Sequence, residues 1–425
     1  MITYGHALQL MNQECGAGRL SSEKIDLRTA PLESVLGRVL SEDVVSSESL
    51  PEFDNSAVDG FAVRSSDLTE TTMTLPVGFL ALPGEVPRSF RSDMQPRIAI
   101  EIMTGAPLPA GGFDRLIKVE DVLKRSTVEG RTVIVFEVEK ASPHHVRQKG
   151  SDYRAGDPVA SAGKRVDSDT VMALAALGIY EIRVFRRPKV WILSTGNELI
   201  DAFMEAKPPG KVRNATGPYL AAELSRLGCE VRGPLPVPDL TFGETLTAAL
   251  KEGADLILTT GAVSMGIHDF VRQAVLDHGG RVGFHHVAIR PGKPILFAMM
   301  PAGTPLLGLP GNPISTAIGL RFFVEPLLRG WWKQSVASHR AMLKHEIEKP
   351  RNLRTFFKAR CVLDADSRLG VEILSGQASF MIHPMKEANA WAILPEGVER
   401  LPAGAPIEVR FFPEKPPLLA SEQET

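Results

Sequence analysis

From Pro188 onward, short apolar runs alternate with helix-like segments, and this alternation restricts the fold more than any other feature of the chain. Lys189-Val190-Trp191-Ile192-Leu193-Ser194 is an unbroken apolar stretch ending at Thr195-Gly196-Asn197-Glu198. A helical pattern follows over residues 219–227, a β-like run near Glu230-Val231, and a second helix over 241–251. Next come the run Asp255-Leu256-Ile257-Leu258-Thr259-Thr260 and a helix over 269–277. Pro294-Ile295-Leu296-Phe297-Ala298, the turn Gly308-Leu309-Pro310-Gly311-Asn312-Pro313 and a helix over 315–328 complete the series. Strands covered on both faces read as continuous apolar runs, and parallel neighbours need a crossover helix. The prediction is a central, doubly wound, parallel α/β domain over residues 181–330.

The rest of the chain differs in pattern. At 425 residues it is too long for a single core. Residues 1–45 with 146–180 read as a helical N-terminal domain. Ala7, Leu8, Leu10 and Met11 share one face, Pro31 opens a second helix over 31–40, and Asp167 caps an apolar-faced helix over 167–177. Residues 46–145 carry short alternating runs such as Thr132-Val133-Ile134-Val135-Phe136-Glu137-Val138, split by Gly and Pro, which predicts an inserted β-rich domain. Strand-like runs over 355–362, 371–374 and 390–394 predict a C-terminal β domain over 331–415. The segment 416–425, rich in Pro, Glu and Ser, is expected to be disordered.

Composition excludes several function classes. The formal charge of -2 offers no basic field, so nucleic acid is not an expected partner. No apolar run approaches the roughly 20 residues that span a bilayer, so no membrane role is expected. Met1-Ile2-Thr3-Tyr4-Gly5-His6-Ala7 lacks the charged and apolar blocks of a signal peptide. Cys15, Cys229 and Cys361 are odd in number and far apart, which fits neither a disulfide framework nor a zinc site and suggests a reducing cytoplasm.

In open parallel sheets, ligands sit beyond the carboxyl ends of the strands. Three loops leave such ends: Ser194-Thr195-Gly196-Asn197-Glu198, Thr259-Thr260-Gly261-Ala262-Val263-Ser264-Met265-Gly266, and Gly308-Leu309-Pro310-Gly311-Asn312-Pro313. Each is rich in Gly or hydroxyls, which suits close approach of backbone N–H groups to a phosphate. Ordinary βα turns would explain one such loop better than all three together. Ile267-His268 stands where a P-loop needs Lys-Ser/Thr, and no GxGxxG follows a strand, which argues against nucleoside triphosphate and dinucleotide sites. Arg290-Pro291-Gly292-Lys293-Pro294 sets two cations on a rigid turn suited to an oxyanion, although a solvated turn has the same composition. His285-His286 and His144-His145 are adjacent pairs whose side chains would diverge on a strand, a poor arrangement for one metal. Asp54 and Asp59 could position a divalent ion or serve as turn residues. Thr104-Gly105 and Gly150-Ser151-Asp152 are similar polar, Gly-bearing sites outside the α/β domain.

Taken in order, these segments resemble the molybdopterin molybdotransferases (bacterial MoeA and the E domain of gephyrin). The resemblance covers roughly residues 25–415. It runs through Phe53-Asp54-Asn55-Ser56-Ala57-Val58-Asp59-Gly60, Ile102-Met103-Thr104-Gly105-Ala106-Pro107-Leu108-Pro109, Gly150-Ser151-Asp152, the three loops and Arg290-Pro291-Gly292-Lys293-Pro294. It implies a multidomain α/β and β fold, with a helical N-terminal region, an inserted β-rich domain, a central molybdopterin-binding α/β domain and a C-terminal β-barrel. It also implies a homodimer. The implied reaction inserts molybdate into adenylylated molybdopterin, a small pterin nucleotide, and releases AMP with Mg²⁺ or another divalent cation. Carried over by motif, Asp59, Thr104 and Asp152 are the catalytic candidates. Glu198, Asp239, Gly261, Ser264, Gly266, Asp269, Pro294 and Ser315 would bind the substrate. Arg290, Lys293, Arg354 and Ser379 would bind molybdate, and Asp59, Asp152, Glu198 and Asp239 would hold the metal. A molybdoenzyme recipient or an adenylyltransferase would be a protein partner.

The chain departs from the family pattern at Asn197, Asn214-Ala215-Thr216, Ala262, His286 and Arg290. The usual residues there are Asp, Asp-Ser-Asn, Gly, Lys and Lys. A neutral His286 would remove one positive charge, and Arg290 exchanges a point charge for a planar fork. These changes motivate a second reading, a non-catalytic molybdopterin carrier or delivery scaffold for a molybdoenzyme.

Overall fold

The computed structural model describes residues 1–16, 18–86, 97–261 and 270–419, which fall into two units. One consists of Lys24–Leu36 and Glu42–Ile182, and the other of Met1–Glu23, Gly37–Ser41 and Arg183–Thr425. Ala262, Ser264, Gly266 and Asp269 lie outside the described residues.

The first unit is built on a six-stranded sheet. Its strands are β1 (Gly60–Arg64), β2 (Thr72–Ala81), β3 (Ala99–Ile102), β4 (Phe113–Lys118), β5 (Val122–Val128) and β6 (Arg131–Glu137), in the order β4-β1-β3-β2-β6-β5. Alternation sends Phe61 and Val63 to one face with Met73, Leu75, Ile134 and Phe136. It sends Ala62 to the other with Ile100, Ile102, Leu116 and Phe113. Helix is scarce around this sheet. Ser168–Ala176 is helical, with the Asp167 carboxylate accepting from the Thr170 N–H at 2.8 Å, which is the cap the sequence predicts. Val146–Arg147 and Pro158–Ala160 are instead strands, paired with Asn55–Ser56 and Val44–Val45. The helix expected over 31–40 spans only Leu32–Val35. Leu36 is already extended, Gly37 takes φ +75°, and Val39 and Leu40 are buried in extended chain. Tertiary burial of a short apolar run overrides its helical spacing there, and the region expected to be helical is mostly strands and turns.

The second unit holds the sheet predicted from the alternating pattern. Its strands are β7 (Lys189–Thr195), β8 (Glu230–Val237), β9 (Leu256–Thr260), β10 (Arg281–His285), β11 (Leu296–Met299) and β12 (Pro305–Leu309), in the order β8-β7-β9-β12-β11-β10. Along β7 and β9 the side chains alternate between two cores. Val190, Ile192, Leu256 and Leu258 pack with Leu220, Leu224 and Ile318. Trp191, Leu193 and Ile257 pack with Phe242, Leu246, Val271 and Val275. Covering helices therefore lie on both faces, which is why these strands read as unbroken apolar runs. Four strands are parallel, but β11 runs antiparallel to β12, and β10 antiparallel to β11. The expectation of a parallel sheet is corrected at that edge, because residues 300–304 are too few for a crossover. The helix predicted over 315–328 spans Pro313–Gly319 and Glu325–Trp331, joined by a π-helical turn at Leu320–Val324. That turn lies just ahead of Pro326, which has no N–H to donate to a regular ladder.

The C-terminal strands close on themselves. β13 (His339–Leu343), β14 (Arg354–Leu363), β15 (Leu369–Ile373), β16 (Ala390–Leu394) and β17 (Pro406–Phe411) form the ring β14-β15-β13-β17-β16-β14. Ala341, Ala359, Ala390 and Ala392 contribute to its interior, small side chains that suit the narrow lumen of a five-stranded barrel. The chain does not leave this domain at the Pro- and Glu-rich tail. Leu418–Leu419 pairs with Val362 and Leu363, which corrects the expected disorder for residues 418–419.

Candidate active site

Because β7, β9 and β12 are parallel, their carboxyl ends meet at one edge. The loops leaving them are tied together. Thr195 Oγ1 donates to the Thr260 carbonyl at 2.9 Å, and the Gly261 N–H donates to the Leu309 carbonyl at 3.0 Å. Gly261 takes φ +90°, and a Cβ there would lie 2.5 Å from the Thr195 carbonyl oxygen, so only glycine fits. Asn197 Nδ2 donates to Asp239 Oδ2 at 3.3 Å, and Lys211 Nζ donates to the Asn197 carbonyl at 2.6 Å. The other Asp239 oxygen is buried without a hydrogen-bond partner among the described residues, as are the hydroxyls of Ser194, Thr259 and Thr260. Such orphaned atoms mark where a polar ligand or ion fits. Glu198 is exposed on the same loop as Asn197.

A cavity of about 680 Å³ opens between this domain and the barrel, lined in part by Arg290, Lys293, Pro294, Ser315, Lys349 and Ser379. Strand pairing explains the meeting: Ile289–Arg290 lies parallel to the start of β14, with Arg290 opposite Thr355. Gly292 turns the chain at φ +98°, and the Val287 N–H donates to the Lys293 carbonyl at 3.0 Å. Arg290 and Lys293 are exposed and have no ion-pair partner among the described residues. Ser379 sits on a loop fastened from within the barrel wall. Lys358, 0% exposed, donates to the carbonyls of Gly376 at 2.6 Å, Met381 at 2.9 Å and Ala378 at 3.4 Å. Burial holds its ammonium below the ordinary lysine value. Lys349 is 6% exposed, donates to the carbonyls of Leu353 at 2.7 Å and Pro350 at 3.2 Å, and is likewise lowered, first by burial.

Arg354 is the molybdate candidate that the structure does not bring to the cavity. Its guanidinium pairs with Glu396 at 3.2 Å and Glu408 at 3.6 Å and lies over the Tyr4 ring. Two carboxylates satisfy its charge, and it is Thr355, the next residue, that lines the cavity. His286 takes φ +85°, and burial, followed by the neighbouring His285, holds its imidazole below the ordinary histidine value. It therefore supplies no fixed positive charge near neutral pH. Asn214 contributes an acceptor at a helix start. Its Oδ1 accepts the Gly217 N–H at 2.9 Å at the start of Thr216–Leu227.

The other unit carries a separate polar cluster. Asp59 Oδ1 accepts from the Thr104 N–H at 2.7 Å and from Thr104 Oγ1 at 2.8 Å. These bonds, the backbone one first, hold the Asp59 carboxyl below its ordinary range although it is exposed. Gly60 follows because a Cβ there would sit 1.9 Å from the Ile117 carbonyl oxygen. Asp54 accepts from the Lys149 N–H at 2.7 Å, and the Asp152 N–H donates to the Leu50 carbonyl at 3.0 Å. The 145–153 segment is thereby fastened to the Asp54–Asp59 loop, but no side-chain bond joins Asp152 to Asp59 or Thr104 among the described residues.

Asp59 and Asp152 belong to one unit and Glu198 and Asp239 to the other, and no group of three or more His, Cys, Asp or Glu residues among the described residues could hold a metal. Nothing in the sequence marks Lys349 or Lys358 as part of this site. A lone lysine in a β-rich segment gives no sign of whether its ammonium faces solvent or a cavity.

Comparison with known proteins covers nearly the whole chain. The family described as MoeA N-terminal region (domain I and II) matches residues 2–178. "Probable molybdopterin binding domain" matches 191–330, and MoeA C-terminal region (domain IV) matches 340–412. A molybdopterin molybdenumtransferase of Synechococcus elongatus is 36% identical over 417 residues, covering 96% of this chain and 99% of that protein. Molybdopterin molybdenumtransferase 2 of Mycobacterium tuberculosis is 35% identical over 397 residues, covering 90% and 94%. The crystal structure of a molybdopterin biosynthesis MoeA protein from Pyrococcus horikosii superposes with a TM-score of 0.77 at 28% identity, covering 97% and 99%.

Proposed function

Since the chain belongs to the MoeA family of molybdopterin molybdenumtransferases, we propose that it inserts molybdate into adenylylated molybdopterin and releases AMP. The observation that carries this reading is the cavity holding Arg290, Lys293 and Ser379, whose cations have no carboxylate partners among the described residues and suit a tetrahedral dianion. The loops at Thr195 and Gly261, with Ser315, would hold the pterin nucleotide. Ser264, Gly266 and Asp269, which lie outside the described residues, stay substrate-binding candidates by motif alone.

Asp239 and Glu198 fit a divalent cation such as Mg²⁺. One Asp239 oxygen is buried and unpaired, and Mg²⁺ takes one or two carboxylates together with substrate phosphates. Such an ion supplies charge neutralisation at the phosphoanhydride. Asp59 and Asp152, in the other unit, are the catalytic candidates by motif. Asp59 is kept ionised by Thr104, which suits it to that role. In this reading the protein works as a cytoplasmic homodimer that hands the cofactor to a molybdoenzyme. A sedimentation velocity run that gave only monomer would remove the dimer.

The direct test mixes the purified chain with adenylylated molybdopterin, molybdate and Mg²⁺. AMP should appear in step with cofactor that activates an apo-molybdoenzyme. Tight pterin binding without AMP release would sink the transferase reading and leave a carrier.

A further inference from the structure

Five basic residues border or approach the cavity, and their charges are satisfied in different ways. Lys358 is saturated by three carbonyls, and Arg354 pairs with two carboxylates through its terminal nitrogens. Arg290 and Lys293 are exposed on the α/β side. Lys349 enters from the barrel side, just after the strand Ile347–Glu348. It lines the cavity yet is only 6% exposed, and no carboxylate among the described residues lies within ion-pair distance of it. An ammonium has three N–H donors. Two of them meet the Leu353 and Pro350 carbonyls, and the third has no acceptor among the described residues. Glu348, the one carboxylate among the lining residues, lies 3.7 Å from Arg400 Nε.

Glu396 and Glu399 act on Lys349 only at a distance, and a buried ammonium with a spare donor and no carboxylate in direct contact is costly unless an anion completes it. We infer that Lys349 is a direct ligand of the oxyanion in this cavity, the third cation beside Arg290 and Lys293. The inference rests on the reading of the cavity as the oxyanion site. It supplies the charge that the sequence assigned to Arg354. It also gives the site a donor from the barrel opposite the donors from the α/β domain, so a tetrahedral dianion would bridge the two. The lowered proton affinity of Lys349 follows from the same burial, and a bound dianion would oppose that shift by favouring the charged form.

The test uses the full chain and molybdate alone, titrated calorimetrically in buffer free of phosphate and sulfate. Lys349→Met should weaken binding on the order of ten- to a hundredfold, the range for losing one charge-assisted hydrogen bond. Lys349→Arg should recover most of it. Lys349→Met binding that matches the unsubstituted chain would overturn the inference while leaving the cavity reading intact. An unsubstituted chain that binds no molybdate would overturn both. Because Lys349→Met could fail to fold, crystals of the unsubstituted protein soaked in molybdate give a second measurement. The anomalous molybdenum peak should lie about 4 Å from Lys349 Nζ, which puts a molybdate oxygen at a hydrogen-bonding distance of about 3 Å from the ammonium. A peak held by Arg290 and Lys293 alone would overturn the inference.

Discussion

The Asp59 cluster and the barrel-side cavity hold their charges by opposite means. Asp59 is exposed, and two hydrogen bonds from Thr104 favour its charged form. Lys349 and Lys358 are buried, and desolvation disfavours theirs. In the first region the protein stabilises a charge that water would also tolerate. In the second it tolerates a charge that water would hold better, and carbonyl acceptors offset part of the loss. A charge held the first way suits chemistry on a solvated substrate. A charge held the second way suits capture of a counter-ion.

The sharpest way to break this contrast is Asp59→Asn. AMP release should fall about 10²- to 10⁴-fold, the range for losing a positioned acid–base group, with the unfolding transition nearly unmoved. Normal turnover would remove Asp59 from catalysis. Next in size, Lys358→Met leaves three carbonyls without a donor and frees the loop carrying Ser379. It should lower unfolding stability in urea by about 2–3 kcal/mol, and an unchanged midpoint would show that the carbonyls find other donors. Thr104→Val removes the side-chain bond to Asp59 and keeps the backbone one. Activity should drop by roughly five- to tenfold, in line with about 1 kcal/mol for one hydrogen bond, and its acid limb should move to higher pH. The smallest effect is expected from Arg354→Lys, which should change molybdate affinity by less than about threefold, since Arg354 is already paired. A tenfold loss would return Arg354 to the oxyanion site.

The pH dependence separates the two regions without changing its sign. Each group's pKa is lower in the folded than in the unfolded chain, so within its window the unfolded chain binds more protons and stability rises with pH. For Asp59 the contribution is present above the ordinary value of 3.8 and is lost as acid carries the pH down through the lowered value. For Lys349 and Lys358 a burial penalty is present at neutral pH and is relieved as pH climbs toward 10.5. Denaturant unfolding from pH 7 to 10 should therefore show a gain in the unsubstituted chain that is reduced in Lys358→Met.

Much of the fold was legible because local pattern and tertiary packing agree in the α/β domain. Val190 to Leu193 and Leu256 to Leu258 are apolar on both faces because helices cover both. The antiparallel β10–β11 edge was not legible, since an apolar run has the same composition in either direction. The short Leu32–Val35 helix was misjudged because helical spacing over 31–40 coincides with a run buried in extended form. In the site, Arg290 and Lys293 announced themselves through the Pro-Gly turn, whereas Lys349 carries no such mark.

The sequence alone determined which residues could carry charge, where the glycine turns fall and which runs must be buried, because these follow from side-chain chemistry and periodicity. Only the tertiary structure decided which charges remain available. Arg354 and Lys349 are both basic residues beside the first strand of the barrel ring. One meets Glu396 and Glu408, while the other meets two carbonyls and a cavity. Whether a cation is free to bind an anion depends on partners brought from distant parts of the chain, and no local pattern records them.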